Sequence, residues 1–217
     1  MDDDQGDRII AAQIEYYRAR APEYDETFRG AHDRSLVAAL DAFAPRGDVL
    51  ELACGTGAWT ESLVRHPVDS VLAVDASPEM LEFHARRIRD PRVTRVVADL
   101  FGWVPPRRFD VVTFAFWISH VPPARLASFW GTVAEALADG GRVLFVDQDT
   151  RGAGWEDPSH DPDYPTVQRP LLDGRRHTAI KVYHDPADLQ ARLEALGWDA
   201  RVKPAGDGYL IGAARRR

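Results

Sequence analysis

Apolar positions along the chain follow two periods. From Ile9 to Arg20 they recur at helical spacing, with Ile10, Ile14 and Tyr17 on one face. Ala21-Pro22 predicts the stop, because the residue before a proline disfavours the α region. A second helix is predicted from Ala31 to Phe43, after which Pro45-Arg46-Gly47 turns the chain into a first strand. Short apolar runs then alternate with helix-compatible stretches: strand 48–53, helix 58–66, strand 70–75, helix 78–89, strands 93–97 and 109–116, helix 124–138, strand 141–147. Ser77-Pro78-Glu79 reads as a capped helix start, and Asp139-Gly140-Gly141 as a stop. This alternation implies an α/β fold with a mostly parallel sheet and helices on both faces. Helix 186–196 follows Asp185-Pro186, and the runs 198–203 and 208–214 are close enough for a terminal hairpin. Residues 148–184 are too long for an ordinary connection. Within them Asp173-Gly174 lies between two extendable runs, which predicts an inserted β-hairpin across about 166–183, a cover near a substrate mouth.

Composition narrows the class. At 217 residues, 45% hydrophobic and 28% charged, the chain reads as one soluble domain with a sizeable core. The net charge of −7 and the lack of long Lys/Arg clusters argue against nucleic-acid partners, and Arg215-Arg216-Arg217 reads as a solvated tail. A single cysteine, Cys54, excludes an internal disulfide and fits a reducing cytoplasm. The acidic Met1-Asp2-Asp3-Asp4 start has no signal-peptide character, and no 18-residue apolar run predicts a membrane span. A cytoplasmic monomer or homodimer is the expectation.

The most informative stretch is Val49-Leu50-Glu51-Leu52-Ala53-Cys54-Gly55-Thr56-Gly57. An apolar run ends in a carboxylate and a glycine loop just before a helix, so backbone N–H groups can approach a ligand closely. A dinucleotide fingerprint needs a third glycine, where this chain has Thr60, and Trp59 is bulky for a helix that hugs a pyrophosphate. Three further landmarks follow in order: Asp75 closing Val71–Val74, Asp99-Leu100 after Val96-Val97-Ala98, and the run from Phe109 to Phe116. With these landmarks, the chain resembles the class I S-adenosylmethionine (SAM)-dependent methyltransferases of the small-molecule type, over roughly residues 45–147.

That resemblance implies a Rossmann-like, seven-stranded sheet with an antiparallel C-terminal strand, an N-terminal helical lid over 1–44, and SAM as cofactor. It implies Glu51 near the methionine amino group, Asp75 with Ala76 at the ribose, Asp99 and Leu100 at the adenine, and Met80 as an apolar adenine contact. Ala53, Gly55, Gly57 and Trp59 would form the loop, Ala115 and Phe116 would touch the methionine part, and Tyr17 and Tyr24 would sit in the lid. Many relatives have glycine where Ala53 stands, and alanine is expected to be tolerated there with a negative φ.

His120, after the fourth strand, is the candidate general base, since imidazole titrates near neutral pH. A pocket-wall role competes with that, because methyl transfer from a sulfonium can proceed by orientation alone. The aromatic residues Tyr17, Tyr24, Trp59, Phe116, Trp117, Trp155, Tyr164 and Tyr183 suggest an aromatic or lipophilic acceptor methylated at oxygen or nitrogen. No metal is expected: Asp147-Gln148-Asp149 could imitate half of a magnesium site, but residues 115–123 hold no carboxylate. Cys54 reads as a packed small residue. A nicotinamide-dependent oxidoreductase and a non-catalytic SAM-binding module are the rival functions.

Overall fold

The computed structural model describes residues 3–27, 33–153 and 156–217. Seven strands form one sheet: β1 (Gly47–Leu52), β2 (Val68–Asp75), β3 (Val93–Val97), β4 (Phe109–Ala115), β5 (Leu137–Gln148), β8 (Trp198–Ala205) and β9 (Tyr209–Arg216). Their order is β3-β2-β1-β4-β5-β9-β8; all neighbours are parallel except β9, which runs antiparallel to both β5 and β8. The order reverses between β1 and β4, and in open α/β sheets such a reversal opens a ligand crevice beyond the carboxyl ends of the strands.

Alternating residues feed two cores. Leu50, Val112, Phe114 and Phe145 point to the side covered by α6 (Leu126–Ala136) and α7 (Pro186–Ala195). Val49, Val71, Val111 and Leu144 point to the side of α3 (Arg34–Phe43), α4 (Ala58–Leu63) and α5 (Pro78–Arg87). Caps set the boundaries: Asp33 accepts from the Ser35 amide, so α3 starts at Arg34. The helix start expected at Ala31 lies outside the described residues, as does Trp155. Helix α6 ends at Ala136, two residues earlier than expected, because Leu137 already pairs with Phe109 across the sheet.

The flanks cover the carboxyl ends. Helix α1 (Asp3–Arg20) leads through one turn of 3-10 helix into α2 (Tyr24–Thr27). The insert forms the hairpin β6 (Thr166–Pro170) and β7 (Arg176–Ile180), turning at Gly174 with φ 84°. Tyr16 packs with Val167, Leu171 and Ala179, and Ile10 with Tyr164 and Ile180, so helix and hairpin form one layer. Polar contacts fasten this layer to the sheet domain: Arg18 to Glu79 at 2.9 Å, Arg125 to Asp7 at 2.9 Å, and Asp25 to both Arg87 and Thr56 at 2.6 Å. Among the described residues no helix is long and apolar enough to cross a membrane.

Trp130 anchors the first core. It is 1% exposed and meets Phe114, Phe129, Phe145 and Trp198 edge to face at 4.9–6.2 Å. Trp130→Ala should cost about 3–5 kcal/mol, a large share of the 5–15 kcal/mol typical of a whole domain. Urea unfolding would register it as a lower midpoint.

Candidate active site

The loop after β1 is bent by three left-handed residues in five: Ala53 at φ 51°, Gly55 at 52° and Gly57 at 87°. Ala53 therefore does not keep the negative φ expected of it. The amide of Cys54 is pinned to the Val74 carbonyl at 3.1 Å and that of Gly55 to Asp75 Oδ2 at 2.8 Å, so the chain must reverse immediately after Leu52. Phe116, after β4, is also left-handed at φ 57°, and its amide reaches the Val146 carbonyl at 2.8 Å.

Two buried carboxylates flank this loop. Asp75 accepts from the amides of Gly55 (2.8 Å) and Ser77 (2.9 Å), one on each oxygen, which leaves a lone pair on each for a pair of hydroxyls. Burial pushes its pKa up to about 6. Glu51 lies beneath the loop, fully buried, and accepts from Thr60 Oγ1 at 2.6 Å. Arg95 can only donate to His84 Nδ1 (2.8 Å), so the His84 proton sits on Nε2 and points at Thr60 Oγ1 (2.9 Å), which in turn donates to Glu51. The other Glu51 oxygen has no partner, and burial raises this carboxyl to about 8.

A cavity of about 670 Å³, part of it open to solvent, lies over the loop. Tyr17, Tyr24, Ala53, Gly55, Asp75 and Ala76 line one part of it, and Met80, Asp99, Leu100, Ala115, Phe116 and His120 line another. Three residues assigned to the cofactor by the sequence do not line it. Glu51 is below the loop. Gly57 caps α4 and backs onto His84 and Ile88. Trp59 is a core residue whose indole donates to Thr113 Oγ1 at 3.1 Å. Tyr164 packs under α1, away from the wall. Trp117, one of the aromatic residues singled out in the sequence, lines the cavity, and sequence reading missed Gln13, Ser77 and Phe101, which line it too. Gln13 had left a signal: a polar residue at helical spacing from Tyr17, beside the apolar face of α1.

At the far end His120 is buried in a 3-10 turn. Its Nδ1 lies 2.6 Å from the Ile180 carbonyl, which only accepts, so Nδ1 carries the proton and Nε2 accepts from Tyr17 Oη at 2.8 Å. Burial, with Lys181 and Arg169 adding to it, holds the imidazole well below its ordinary pKa, and burial raises Tyr17 to about 12. Arg169 forms a two-pronged pair with Glu156 at 2.6 and 2.8 Å and reaches Tyr17 Oη at 3.3 Å. Lys181, also missed by sequence reading, is 1% exposed and donates to Ser119 Oγ at 3.0 Å and Gln148 Oε1 at 2.8 Å. The Asp147 and Asp149 oxygens are committed to the Ser119, Gln148 and Arg151 amides and the Arg151 guanidinium.

A left-handed loop, an acid with two open lone pairs and an apolar wall ending at Asp99 suit an adenosyl group carrying an amino acid; they define a nucleoside-sulfonium site on a Rossmann-like sheet. Comparison with known proteins agrees. Residues 49–141 match the family model for a methyltransferase domain. The structure of a DhpI–SAH complex is 41% identical, with a TM-score of 0.84 over 96% of this chain and 97% of that one. A DhpI–SAM–HEP complex is 42% identical, with a TM-score of 0.85 over 95% of this chain and 97% of that one. The nodulation protein S of Rhizobium tropici is 29% identical over 121 residues, which are 54% of this chain and 49% of that protein, so the match spans about half of the relative's length. The chain belongs to the SAM-dependent methyltransferase family: it is an enzyme of that class and uses SAM.

Two outcomes follow. Ala53→Gly should stabilise the fold by about 1 kcal/mol by removing the Cβ from a left-handed residue, raising Tm by roughly 2–4 °C. If Asp75 accepts the ribose hydroxyls as a carboxylate, SAM affinity is full above pH 6 and falls as pH drops through about 6, where the group protonates. Calorimetric titration should find that limb in the wild type and not in Asp75→Asn, whose affinity should be at least tenfold weaker at neutral pH. Equal affinity in the two proteins would remove Asp75 from the ribose.

Proposed function

We propose that this enzyme transfers the SAM methyl to an ionised oxygen of a small acceptor that has a partly apolar body. The observation that carries this reading is Lys181: a buried ammonium using two of its three donors, with no carboxylate in ion-pair range among the described residues. Burial lowers its pKa to about 8, with Asp147 partly opposing from longer range, so it is cationic at neutral pH. Arg169 at the same end is already paired with Glu156, which leaves Lys181 as the cation without an ion-pair partner there among the described residues, and Tyr17, Tyr24, Phe116 and Trp117 line the cavity wall. Buried cations of this kind favour an anionic partner. The aromatic character expected from the sequence thus describes the acceptor's body, and the charge describes its reacting end. A DhpI structure is named as a complex with both SAM and HEP, which supports a second small molecule beside the cofactor in that relative.

SAM supplies an activated methyl. An oxygen already ionised attacks the methyl carbon as the carbon–sulfur bond breaks; the acceptor's negative charge and the sulfonium's positive charge cancel, and no proton has to leave. This suits the chain's residues. An imidazole held well below its usual pKa is a weak proton acceptor, and Tyr17 near 12 stays protonated. His120 and Tyr17 then act by orientation, with Lys181 holding the charge.

The test is a panel of small organic acids and phosphate monoesters beside their neutral esters and amides, followed by formation of S-adenosylhomocysteine. Acids should be turned over and their neutral counterparts should not. Lys181→Met should cut kcat/KM for the acids at least tenfold at unchanged SAM affinity. Because only the ammonium form holds the anion, kcat/KM should fall as pH rises through about 8, and Lys181→Arg should move that limb upward. Preferred turnover of the neutral compounds would sink this reading. An acidic limb near the imidazole range that vanishes in His120→Ala would restore His120 as the general base.

A further inference from the structure

Helix α1 does more than cover the crevice. Gln13 is 2% exposed, and both ends of its amide are committed to the main chain of other elements. Its Nε2 donates to the His120 carbonyl at 3.2 Å, and its Oε1 accepts from the Ile180 amide at 3.0 Å. The amide orientation is unambiguous, because a carbonyl can only accept and an N–H can only donate. The Ile180 carbonyl in turn accepts from His120 Nδ1 at 2.6 Å. Three hydrogen bonds therefore close a ring: Gln13 to His120, His120 to Ile180, Ile180 to Gln13.

We infer that Gln13 is a positioning residue that fixes the tautomer of His120, keeping the proton on Nδ1 and the Nε2 lone pair facing Tyr17. The turn carrying His120 and the end of β7 carrying Ile180 are separate chain segments. The carbonyl that selects the tautomer must be held against Nδ1 to within a few tenths of an ångström, and Gln13 ties the two backbones at that point. The same helix supplies Tyr17 one turn later, at i+4, so one face of α1 determines both the imidazole's proton and the group it faces.

The consequence is directional. With Nε2 as acceptor, the Tyr17 hydroxyl hydrogen is spent on His120 and the Tyr17 oxygen is left as a hydrogen-bond acceptor, which Arg169 meets at 3.3 Å. With the other tautomer, His120 would donate and the Tyr17 hydrogen would be released into the cavity. The fixed form repels an anionic oxygen from Tyr17 and turns the acceptor's charge toward Lys181. This specificity role rests on the anionic-acceptor reading above; the tautomer itself does not.

Nitrogen-15 NMR of histidine-labelled full-length enzyme with SAM bound tests it, His120 being assigned from the resonances lost in His120→Ala. The wild type should show a protonated Nδ1 and a lone-pair Nε2. Gln13→Met, which fills the volume without the amide, should show a mixed or Nε2-protonated imidazole at a SAM affinity within twofold of wild type. On the best acid of the panel above its kcat/KM should fall about tenfold. Should that variant fail to bind SAM, Gln13→Glu keeps the shape and the acceptor for Ile180 but loses the donor to His120, and should show the same shift. A wild-type-like tautomer in the folded variant overturns the inference, whatever the panel gives. A shifted tautomer with no acid turned over leaves Gln13's role standing and removes the anionic acceptor instead.

Discussion

The hydrogen bond from the Gly55 amide to Asp75 is the constraint on which the cofactor half depends. It joins the loop after β1 to the end of β2, beside the point where the strand order reverses. To make it, the chain must enter left-handed conformations at Ala53 and Gly55, and it must bury a carboxylate. Both are costs. Backbone strain of this kind is of the order of 1–3 kcal/mol at a non-glycine residue such as Ala53, and burying the acid raises its pKa to about 6. What results is a rigid concave surface in which amides, not side chains, meet a ligand, with a carboxylate already oriented before the ligand arrives. Pre-organisation of this sort reduces what binding has to order.

The second half of the site is assembled differently. Its parts come from α1, the 3-10 turn after β4 and the β6–β7 hairpin, and the end of β5 holds two of them, Asp147 binding the Ser119 amide and Gln148 binding Lys181. They meet because α1 packs on β7 through Tyr16, Ile10 and their partners, and because surface ion pairs fasten that layer to the sheet domain. Exposed pairs contribute little individually and weaken with salt. The buried Arg169–Glu156 pair, tied to Tyr17 and Tyr183, is the internal brace. The cofactor half is therefore stiff and the acceptor half is joined by contacts that can separate, which suits a crevice that must admit two reactants in turn.

This division explains what the sequence disclosed. The strand–helix alternation, the loop and the acids at the strand ends were legible because each depends on neighbours within a few residues: a cap, a glycine, a change of period. Even the hairpin insert was marked by Asp173-Gly174. The dihedral of Ala53 was not legible, because the pin that forces it comes from β2, some twenty residues away. Trp59 looked like a loop residue from its position in the motif, yet its indole turns inward to Thr113 on β4. Lys181, Arg169 and Gln13 carried no local motif. Their meaning lies in partners 62, 152 and 107 positions distant, and only the docking of α1 on the hairpin brings those partners together.

Charge then relates the two halves. On the proposed reading a sulfonium and an ionised oxygen attract each other and lose their charges as they react, so the site would stabilise separated charge before the reaction and release neutral products after it. The cofactor side offers the Asp75 carboxylate, while Glu51 beneath the loop, raised to about 8, stays protonated at neutral pH; on the proposed reading the acceptor side offers the Lys181 ammonium. On that reading, this arrangement of charge favours the loaded state over the neutral products. It also removes the need for a strong base between the halves, where a buried imidazole with two cations nearby would be poorly suited to take a proton. The weak basicity of His120 comes first from its burial, and the Lys181 charge that holds the acceptor on the proposed reading adds to it.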